Sequence, residues 1–255
     1  MAKGIRKAGE FCWINMLTPQ PEAAREFFGK MLGWEFGEIP GMGHLIKVGG
    51  RPIGGLFDLA APQTPVGTPP GIGVMVKVES ADATCEKVVA LGGKAKPAFD
   101  IGDRGRMAEC FDPNGAEFDL WEPKKGEGTD VDIRLHGAPG WFETITSDTA
   151  RATKFYGDLF GWTAEDDVRP EFTYTSFKFD GDYVAGMMPI LPRMGEIPSH
   201  WGVYFTVDDA DETARLAGEL GAKVFIPAQD IPGIGRFCGI FSPQGVMFYA
   251  IRYNG

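Results

Sequence analysis

The chain has 255 residues, of which 44% are hydrophobic and 24% charged, the balance of a soluble globular protein. Its formal net charge of −10 argues against nucleic acid or an anionic membrane as a partner, because both carry negative charge. No apolar run approaches the roughly 20 residues that span a bilayer, and the segment MAKGIRKAGEF lacks the apolar core of a secretory signal. We therefore predict a cytoplasmic protein.

The first half of the chain predicts two successive rounds of strands and one helix. A strand is predicted at 11–17, and the helix that follows, 21–34, has Pro21 in its first turn and Gly33 as a stop. A Pro- and Gly-rich loop at 61–73 separates this round from the next. The other predicted elements are a helix at 81–93 and strands at 44–48, 52–59, 74–78 and around 95–99, 106–111 and 116–121.

The second half of the chain repeats the first at an offset of 128 to 130 residues. AREFFGKMLGW at 24–34 corresponds to ATKFYGDLFGW at 152–162. The segments 97–118 and 227–248 match at ten of twenty-two positions without a gap. A repeat of this length indicates two copies of one domain, so a functional site is expected in both copies or lost from one.

These elements predict an α+β fold of four βαβββ units in two tandem domains. We place the domains at 8–123 and 139–253, joined by a polar, Gly-rich linker at 124–138. Two units would pair into a curved mixed sheet that encloses a cup, with the helices outside. A concave face of this kind is where a protein binds small molecules.

Neither the cysteines nor the histidines predict a metal site. The four cysteines form no CxxC pair and none occupies repeat-equivalent positions, so free thiols are expected, without disulfides or structural zinc. The three histidines, His44, His136 and His200, are scattered over both halves, and we interpret them as isolated surface or core residues.

Two motifs carry a resemblance to a known family. The phrase F-[FY]-G-x-[ML]-[LF]-G-W after the first helix of each half, and the [DS]-P-x-G turn before each last strand, resemble the vicinal oxygen chelate superfamily. That superfamily includes glyoxalase I, bleomycin- and fosfomycin-resistance proteins and extradiol dioxygenases. The resemblance runs from Phe11 to Arg252 and is closer still to tandem glyoxalase-like proteins of actinobacteria, catalogued as hydroxylases or as a mycobacterial culture-filtrate antigen. It implies two glyoxalase-like domains, but the fold hosts many chemistries.

The resemblance also implies where a divalent metal would be held, because metal-dependent relatives place His, Gln or Glu on the first and last strands of a unit. Carried over to this chain, those places fall on Trp13, Gly55, Gly73 and Asp119 in the first domain and on Trp141, Gly186, Gly202 and Tyr249 in the second. Of these eight residues only Asp119 is a good metal ligand. We therefore expect no metal or other cofactor, with a divalent metal as the less favoured alternative.

The predicted ligand-binding residues line the two cups. Side chains alternate along a strand, so Asn15 should face the same way as Trp13, and Glu143 the same way as Trp141, with a last-strand residue opposite each pair. Aromatic walls suit flat ligands. In the alternative interpretation the tryptophans fill the cups as core, with Asn15 or Glu143 accepting the indole N–H. The predicted site residues are Trp13, Asn15, Asp119, Trp141, Glu143 and Tyr249.

Three functions remain open from the sequence. The first is a metal-free protein that binds a small, partly aromatic metabolite or antibiotic, as a monomer with pseudo-twofold domains or as a homodimer. The second is an enzyme, a lyase, isomerase, epimerase or oxygenase acting on a small oxygen-rich substrate, with or without a divalent metal. Its catalytic residues would be Glu143 or Asp119, acting as a general base whose pKa the apolar cup raises. A protein-interaction module without a small ligand ranks third.

Two further repeated features predict structural roles. Asp100 and Arg106 recur as Asp230 and Arg236, six residues apart across a hairpin, and we predict an ion pair in each copy. The tryptophans at the ends of the paired LGW and FGW motifs are predicted to be core anchors, Trp34 and Trp162.

Overall fold

The computed structural model describes residues 5–62, 64 and 67–254. Within this part the chain forms two β-sheets, one from each half. The strands of the first sheet are β1 (Phe11–Thr18), β2 (Glu35–Ile39), β3 (Gly43–Val48), β4 (Arg51–Asp58), β5 (Gly71–Lys77), β6 (Lys94–Ala95), β7 (Phe99–Ile101), β8 (Gly105–Phe111) and β9 (Glu117–Pro123). Those of the second are β10 (Pro139–Thr146), β11 (Thr163–Val168), β12 (Thr173–Phe179), β13 (Asp182–Pro189), β14 (His200–Thr206), β15 (Lys223–Ile231), β16 (Gly235–Phe241) and β17 (Met247–Tyr253).

The two sheets have the same topology. The first runs β2-β3-β4-β1-β5-β9-β8-β6, with β7 beside β8, and the second runs β11-β12-β13-β10-β14-β17-β16-β15. In each, the opening strands of two units meet antiparallel at the centre, β1 with β5 and β10 with β14. The predicted α+β fold, with its tandem pair of domains built from βαβββ units, is thus confirmed.

Four helices lie against the sheets in the described residues: α1 (Pro21–Leu32), α2 (Ala81–Ala90), α3 (Thr149–Phe160) and α4 (Ala210–Glu219). The first helix of each half ends at a glycine in the left-handed conformation, Gly33 with φ 63° and Gly161 with φ 76°, where any other residue would be strained. Side-chain oxygens of Ser80, Asp148 and Asp209 cap the N-termini of α2, α3 and α4.

The sequence did not predict two edge strands, β2 and β11. Both have exposed, charged residues, EFGEI and TAEDDV, without a clear apolar alternation. Charges of this kind protect a free sheet edge against pairing with another chain. The strand expected around 95–99 is instead divided into β6 and β7, because Pro97 between them has no N–H to donate to a ladder.

The two halves share one hydrophobic core. Phe11 of β1 stacks on Phe142 of β10 with ring centroids 4.2 Å apart. Two repeat-equivalent hydrogen bonds also connect the halves. The Trp34 indole donates to the Gly137 carbonyl and the Trp162 indole donates to the Gly9 carbonyl, both at 2.8 Å. Both tryptophans are only 4% exposed, which confirms them as core anchors.

Side chains along the central strands β1 and β10 alternate between the shared core on one face of the sheet and the cup on the other. Ile14 and Met16 of β1 lie in the core with the helices, whereas Trp13 packs in a separate cluster on the opposite face. The second sheet has the same division, with Trp141 in a separate cluster. Each sheet therefore turns its cup away from the other half of the molecule, and the helices lie on the side opposite the cup.

The remaining sequence-based expectations concern polar and sulfur-containing groups. Arg106 lies 3.4 Å from Asp100 and Arg236 lies 2.9 Å from Asp230, so the predicted hairpin ion pairs are present. All four cysteines carry free thiols, as predicted. No helix in the described part of the chain is both long and apolar enough to cross a membrane.

Candidate functional site

The second cup is lined by aromatic side chains around one carboxylate. Glu143 on β10 is 5% exposed and accepts a hydrogen bond on each oxygen, from Tyr204 to Oε1 and from Tyr174 to Oε2, both at 2.8 Å. The indole N–H of Trp141 donates to the Tyr174 hydroxyl at 3.0 Å. Tyr249 stacks on Tyr204 with ring centroids 4.4 Å apart. We call Trp141, Glu143, Tyr174, Tyr204 and Tyr249 the second cup.

Glycines on the floor of the second cup make room for these rings. A Cβ atom on Gly186 would lie 1.9 Å from the Tyr174 hydroxyl, and one on Gly202 would lie 2.8 Å from the Tyr249 ring. One on Gly239 would lie 2.7 Å from Phe225. These distances are shorter than van der Waals contact, so any side chain at these positions would displace the rings. The glycines therefore allow a continuous aromatic floor, which Phe237 and Tyr253 extend.

The hydrogen bonds at Glu143 favour its ionised form. Hydroxyl groups lie within hydrogen-bonding distance of both carboxylate oxygens, and the Tyr174 hydroxyl, which accepts from Trp141, is free to donate its own proton to Glu143. Burial raises the pKa of Glu143, and the Tyr204 and Tyr174 hydroxyls oppose that rise. Arg169, whose guanidinium lies 4.9 Å from the Tyr174 ring centroid, also lowers this pKa.

The first cup is more polar. Asn15 on β1 donates its amide to Asp119 Oδ2 on β9 at 3.1 Å, across Gly73 of the intervening β5. A Cβ atom on Gly73 would meet Asp119 Oδ2 at 3.5 Å, an ordinary contact, so no ring covers this glycine. Trp13 packs with Met75 at one end. We call Trp13, Asn15, Gly73, Met75 and Asp119 the first cup.

Asp119 differs from Glu143 in its hydrogen bonds. It is 8% exposed, and Asn15 is its only hydrogen-bond partner among the described residues. Burial raises the pKa of Asp119 to about 7, with smaller contributions from the carboxylates of Glu117 and Glu109, while the Asn15 amide opposes the rise. A carboxyl with this pKa exchanges its proton near neutrality, as a general acid or base does.

The structure brings the six predicted site residues together as two separate groups of three. Trp13, Asn15 and Asp119 lie in the first cup, and their counterparts Trp141, Glu143 and Tyr249 lie in the second. The Trp141 indole donates to the Tyr174 hydroxyl and not to Glu143, which changes the acceptor expected for a core tryptophan without testing the core alternative itself.

Sequence reasoning missed two residues of the second cup, Tyr174 and Tyr204, and the neighbouring floor residue Phe225. Tyr204 lies two residues after Gly202 on β14, so strand alternation could have identified it. Tyr174 and Phe225 depend on the register of β12 and β15, which the sequence pattern does not supply.

The residues present do not fit a divalent metal ion. At the positions implied by the resemblance, Gly186 and Gly202 have no donor atoms, and the space above them holds tyrosine side chains. The first cup offers Asp119 and the Asn15 side chain, and the amide of the latter is directed at the carboxylate. Nowhere in residues 5–62, 64 and 67–254 do three His, Cys, Asp or Glu side chains form a group able to hold a metal.

The histidines lie apart from both metal positions and from one another. His44 Nε2 is 3.5 Å from Glu22, in a groove beside the β2–β3 hairpin that includes a cavity of about 500 Å³ outside both cups. His136 Nδ1 is 3.3 Å from Asp208. His200 Nδ1 lies 2.9 Å from the Pro198 carbonyl oxygen. They are isolated residues, as predicted.

Comparison with known proteins places these features in a family. Residues 11–120 and 138–249 each match the Glyoxalase/Bleomycin resistance protein/Dioxygenase superfamily. CFP32 of Mycobacterium tuberculosis, provisionally named a glyoxylase, is 34% identical over 247 residues, covering 94% of this chain and 93% of its own. The anthracycline biosynthesis protein DauV of Streptomyces sp. strain C5 is 30% identical over 261 residues, covering 96% and 93%.

Solved structures share the fold at low sequence identity. An Mn(II)-bound glyoxalase from Novosphingobium aromaticivorans aligns with a TM-score of 0.66 at 16% identity, over 96% of this chain and 82% of its own. The 2,2',3-trihydroxybiphenyl 1,2-dioxygenase of Sphingomonas wittichii aligns with a TM-score of 0.67 at 14% identity, over 96% and 91%. The chain therefore belongs to the Glyoxalase/Bleomycin resistance protein/Dioxygenase superfamily and contains two copies of its domain in tandem.

Proposed function

We propose that this protein binds a small, flat, partly aromatic molecule in the second cup without a metal ion. The observation that carries the proposal is the aromatic floor, in which rings lie over Gly186, Gly202 and Gly239. Stacking on such a floor contributes about 0.5–1.5 kcal/mol beyond burial for each well-placed ring pair. Glu143 and the hydroxyls bound to it would orient the ligand's polar groups.

Two further observations support this proposal. The positions that would hold a metal in the second cup carry glycine, tryptophan and tyrosine, and tyrosine side chains occupy the space above the two glycines. One relative is named for anthracycline biosynthesis, and anthracyclines are built on flat fused rings. A ligand of that chemical class matches the floor in shape.

Calorimetric titration of chelator-dialysed protein with a panel of fused-ring aromatic compounds tests the proposal. The substitutions Trp141→Ala and Trp13→Ala, at repeat-equivalent positions, distinguish the cups. Binding that Trp141→Ala weakens more than Trp13→Ala supports the second cup, and the reverse order moves the site to the first. Binding that appears only when a divalent metal is added would refute the metal-free proposal, as would no binding by any compound.

A second candidate function is catalysis in the first cup. The favouring observation is that Asp119 has one hydrogen-bond partner in the described residues and a pKa raised to about 7. It could take a proton from an oxygen-rich substrate, as a lyase, isomerase or epimerase requires. Glu143 is a weaker candidate base because tyrosine hydroxyls already occupy both of its oxygens. An activity that Asp119→Asn abolishes while the protein stays folded would establish this function.

A further inference from the structure

Glu143, the carboxylate of the second cup, has no cationic partner in direct contact. Glu143 is 5% exposed, and no Lys, Arg or His forms an ion pair with it in the described part of the chain. Hydroxyl groups satisfy its hydrogen bonds but do not neutralise its charge. A buried charge of this kind favours a positive group brought close to it.

The aromatic rings next to Glu143 are suited to the same kind of group. The face of an aromatic ring is negative, and cations are attracted to it within about 6 Å of the centroid. Tyr204 and Tyr249 are buried and stack on each other, so the rings open to a cation are those of Trp141 and Tyr174, which are only partly buried. Tyr204 and Tyr174 both donate to a carboxylate, which leaves their rings richer in electrons.

The protein already stacks one of its own cations on this aromatic set. The guanidinium of Arg169 lies 4.9 Å from the Tyr174 ring centroid and 5.7 Å from that of Phe172. Its Nε is paired with the exposed Asp167 at 3.0 Å, which holds Arg169 at the solvent-facing rim of the cup. The Tyr174 ring of the second cup thus already binds a planar cation that belongs to the protein itself.

From the buried carboxylate and the rings around it we infer that the ligand of the second cup carries a positive charge, as an aromatic amine or quaternary ammonium compound whose cationic group lies over the rings next to Glu143. This inference rests on the proposed function, which requires only an aromatic ligand. It adds a charge preference that the aromatic floor alone does not impose. An aromatic carboxylate should be excluded, because it would bring a second negative charge close to Glu143.

Three naphthalene derivatives of matched shape test the inference: trimethyl(2-naphthylmethyl)ammonium, 2-naphthalenemethanol and 2-naphthoate. Calorimetric titration of the 255-residue protein should give about ten-fold or greater preference for the ammonium over the alcohol, with no measurable binding of the naphthoate. Glu143→Gln should reduce that preference, measured as the ratio of the two affinities, to less than about three-fold. Asp208→Asn removes a charge from the exposed surface of the same domain and serves as the matched control.

Arg169→Gln provides a test that does not alter the buried group. Removing the rim cation should increase the affinity for the ammonium compound and leave that for the alcohol unchanged, because Arg169 competes electrostatically for Glu143. Equal affinity for the ammonium and the alcohol, or tighter binding of the naphthoate, would overturn the charge preference and leave the proposed function intact. If none of these and none of the wider aromatic panel bound, the proposed function would fail as well.

Discussion

The hydroxyl of Tyr204 should stabilise the protein through Glu143. Tyr204→Phe keeps the ring and its stack on Tyr249 but removes the donor 2.8 Å from Oε1. Both residues are buried, at 6% and 5% exposure, so water does not readily replace the lost bond. A hydrogen bond to a charged group contributes about 1.5–3 kcal/mol. We expect the free energy of unfolding to fall by about 2 kcal/mol above the pKa of Glu143.

The effect of Tyr204→Phe should depend on pH. Burial raises the pKa of Glu143 above its usual 4.5, and the Tyr204 hydroxyl opposes that rise, so the substitution raises it further. A carboxyl with a raised pKa in the folded state contributes stability that is present below its unfolded value and lost as pH rises through the folded value. The cost should therefore shrink to about 1 kcal/mol near pH 4, where a neutral hydrogen bond is lost instead.

Urea unfolding across this pH range measures the effect, with Tyr249→Phe as the matched control. Tyr249 stacks in the same cluster, but its hydroxyl has no hydrogen-bond partner among the described residues. Its removal should cost less than about 0.5 kcal/mol at any pH. If Tyr204→Phe cost no more than Tyr249→Phe, or if its cost did not grow with pH, the assignment of an ionised, tyrosine-bound Glu143 would be refuted.

The remaining predictions concern both cups and the contact between the halves. Burial raises the pKa of Asp119 to about 7, so the unsubstituted protein loses stability as the pH rises from about 4 to 7 and this carboxyl ionises. Asp119→Asn removes that loss and should stabilise the protein by as much as about 4 kcal/mol above pH 7, with little effect near pH 4. Thermal melts of both proteins across this pH range check the prediction. Gly202→Ala should cost about 1–3 kcal/mol by pushing the Tyr249 ring, whereas the repeat-equivalent Gly73→Ala should be tolerated, as urea unfolding of the pair would show. Trp162→Phe should lower the free energy of unfolding by about 1–3 kcal/mol, because the Gly9 carbonyl loses its buried indole donor. An unchanged midpoint of urea unfolding would contradict this.

The fold was largely predictable because the repeat supplied independent copies of the same pattern. A helix bounded by a proline and a glycine, and strands separated by Pro–Gly turns, recur in both halves. The misses were the edge strands β2 and β11 and the division at Pro97. Edge strands need no buried face, so hydrophobic pattern does not reveal them. The domain boundaries at 8–123 and 139–253 stay predictions.

The site was predictable only along single strands. Alternation on β1 and β10 placed Asn15 with Trp13 and Glu143 with Trp141. The difference between the cups arises across strands, because whether a floor glycine is covered depends on the residues of the neighbouring strand and on their register. The sequence predicted two aromatic-walled cups that differ in Asn15 against Glu143 and in Asp119 against Tyr249. It did not predict the rings that cover the glycines of the second cup and leave Gly73 of the first uncovered.

The most direct test of the central claim is one calorimetric titration of chelator-dialysed protein with the quaternary naphthylmethyl ammonium compound, with metal content measured by mass spectrometry on the same sample. The account predicts saturable binding of one ligand per chain to metal-free protein, lost on Trp141→Ala. Stoichiometric metal retained through dialysis, or binding that requires added metal, would contradict it.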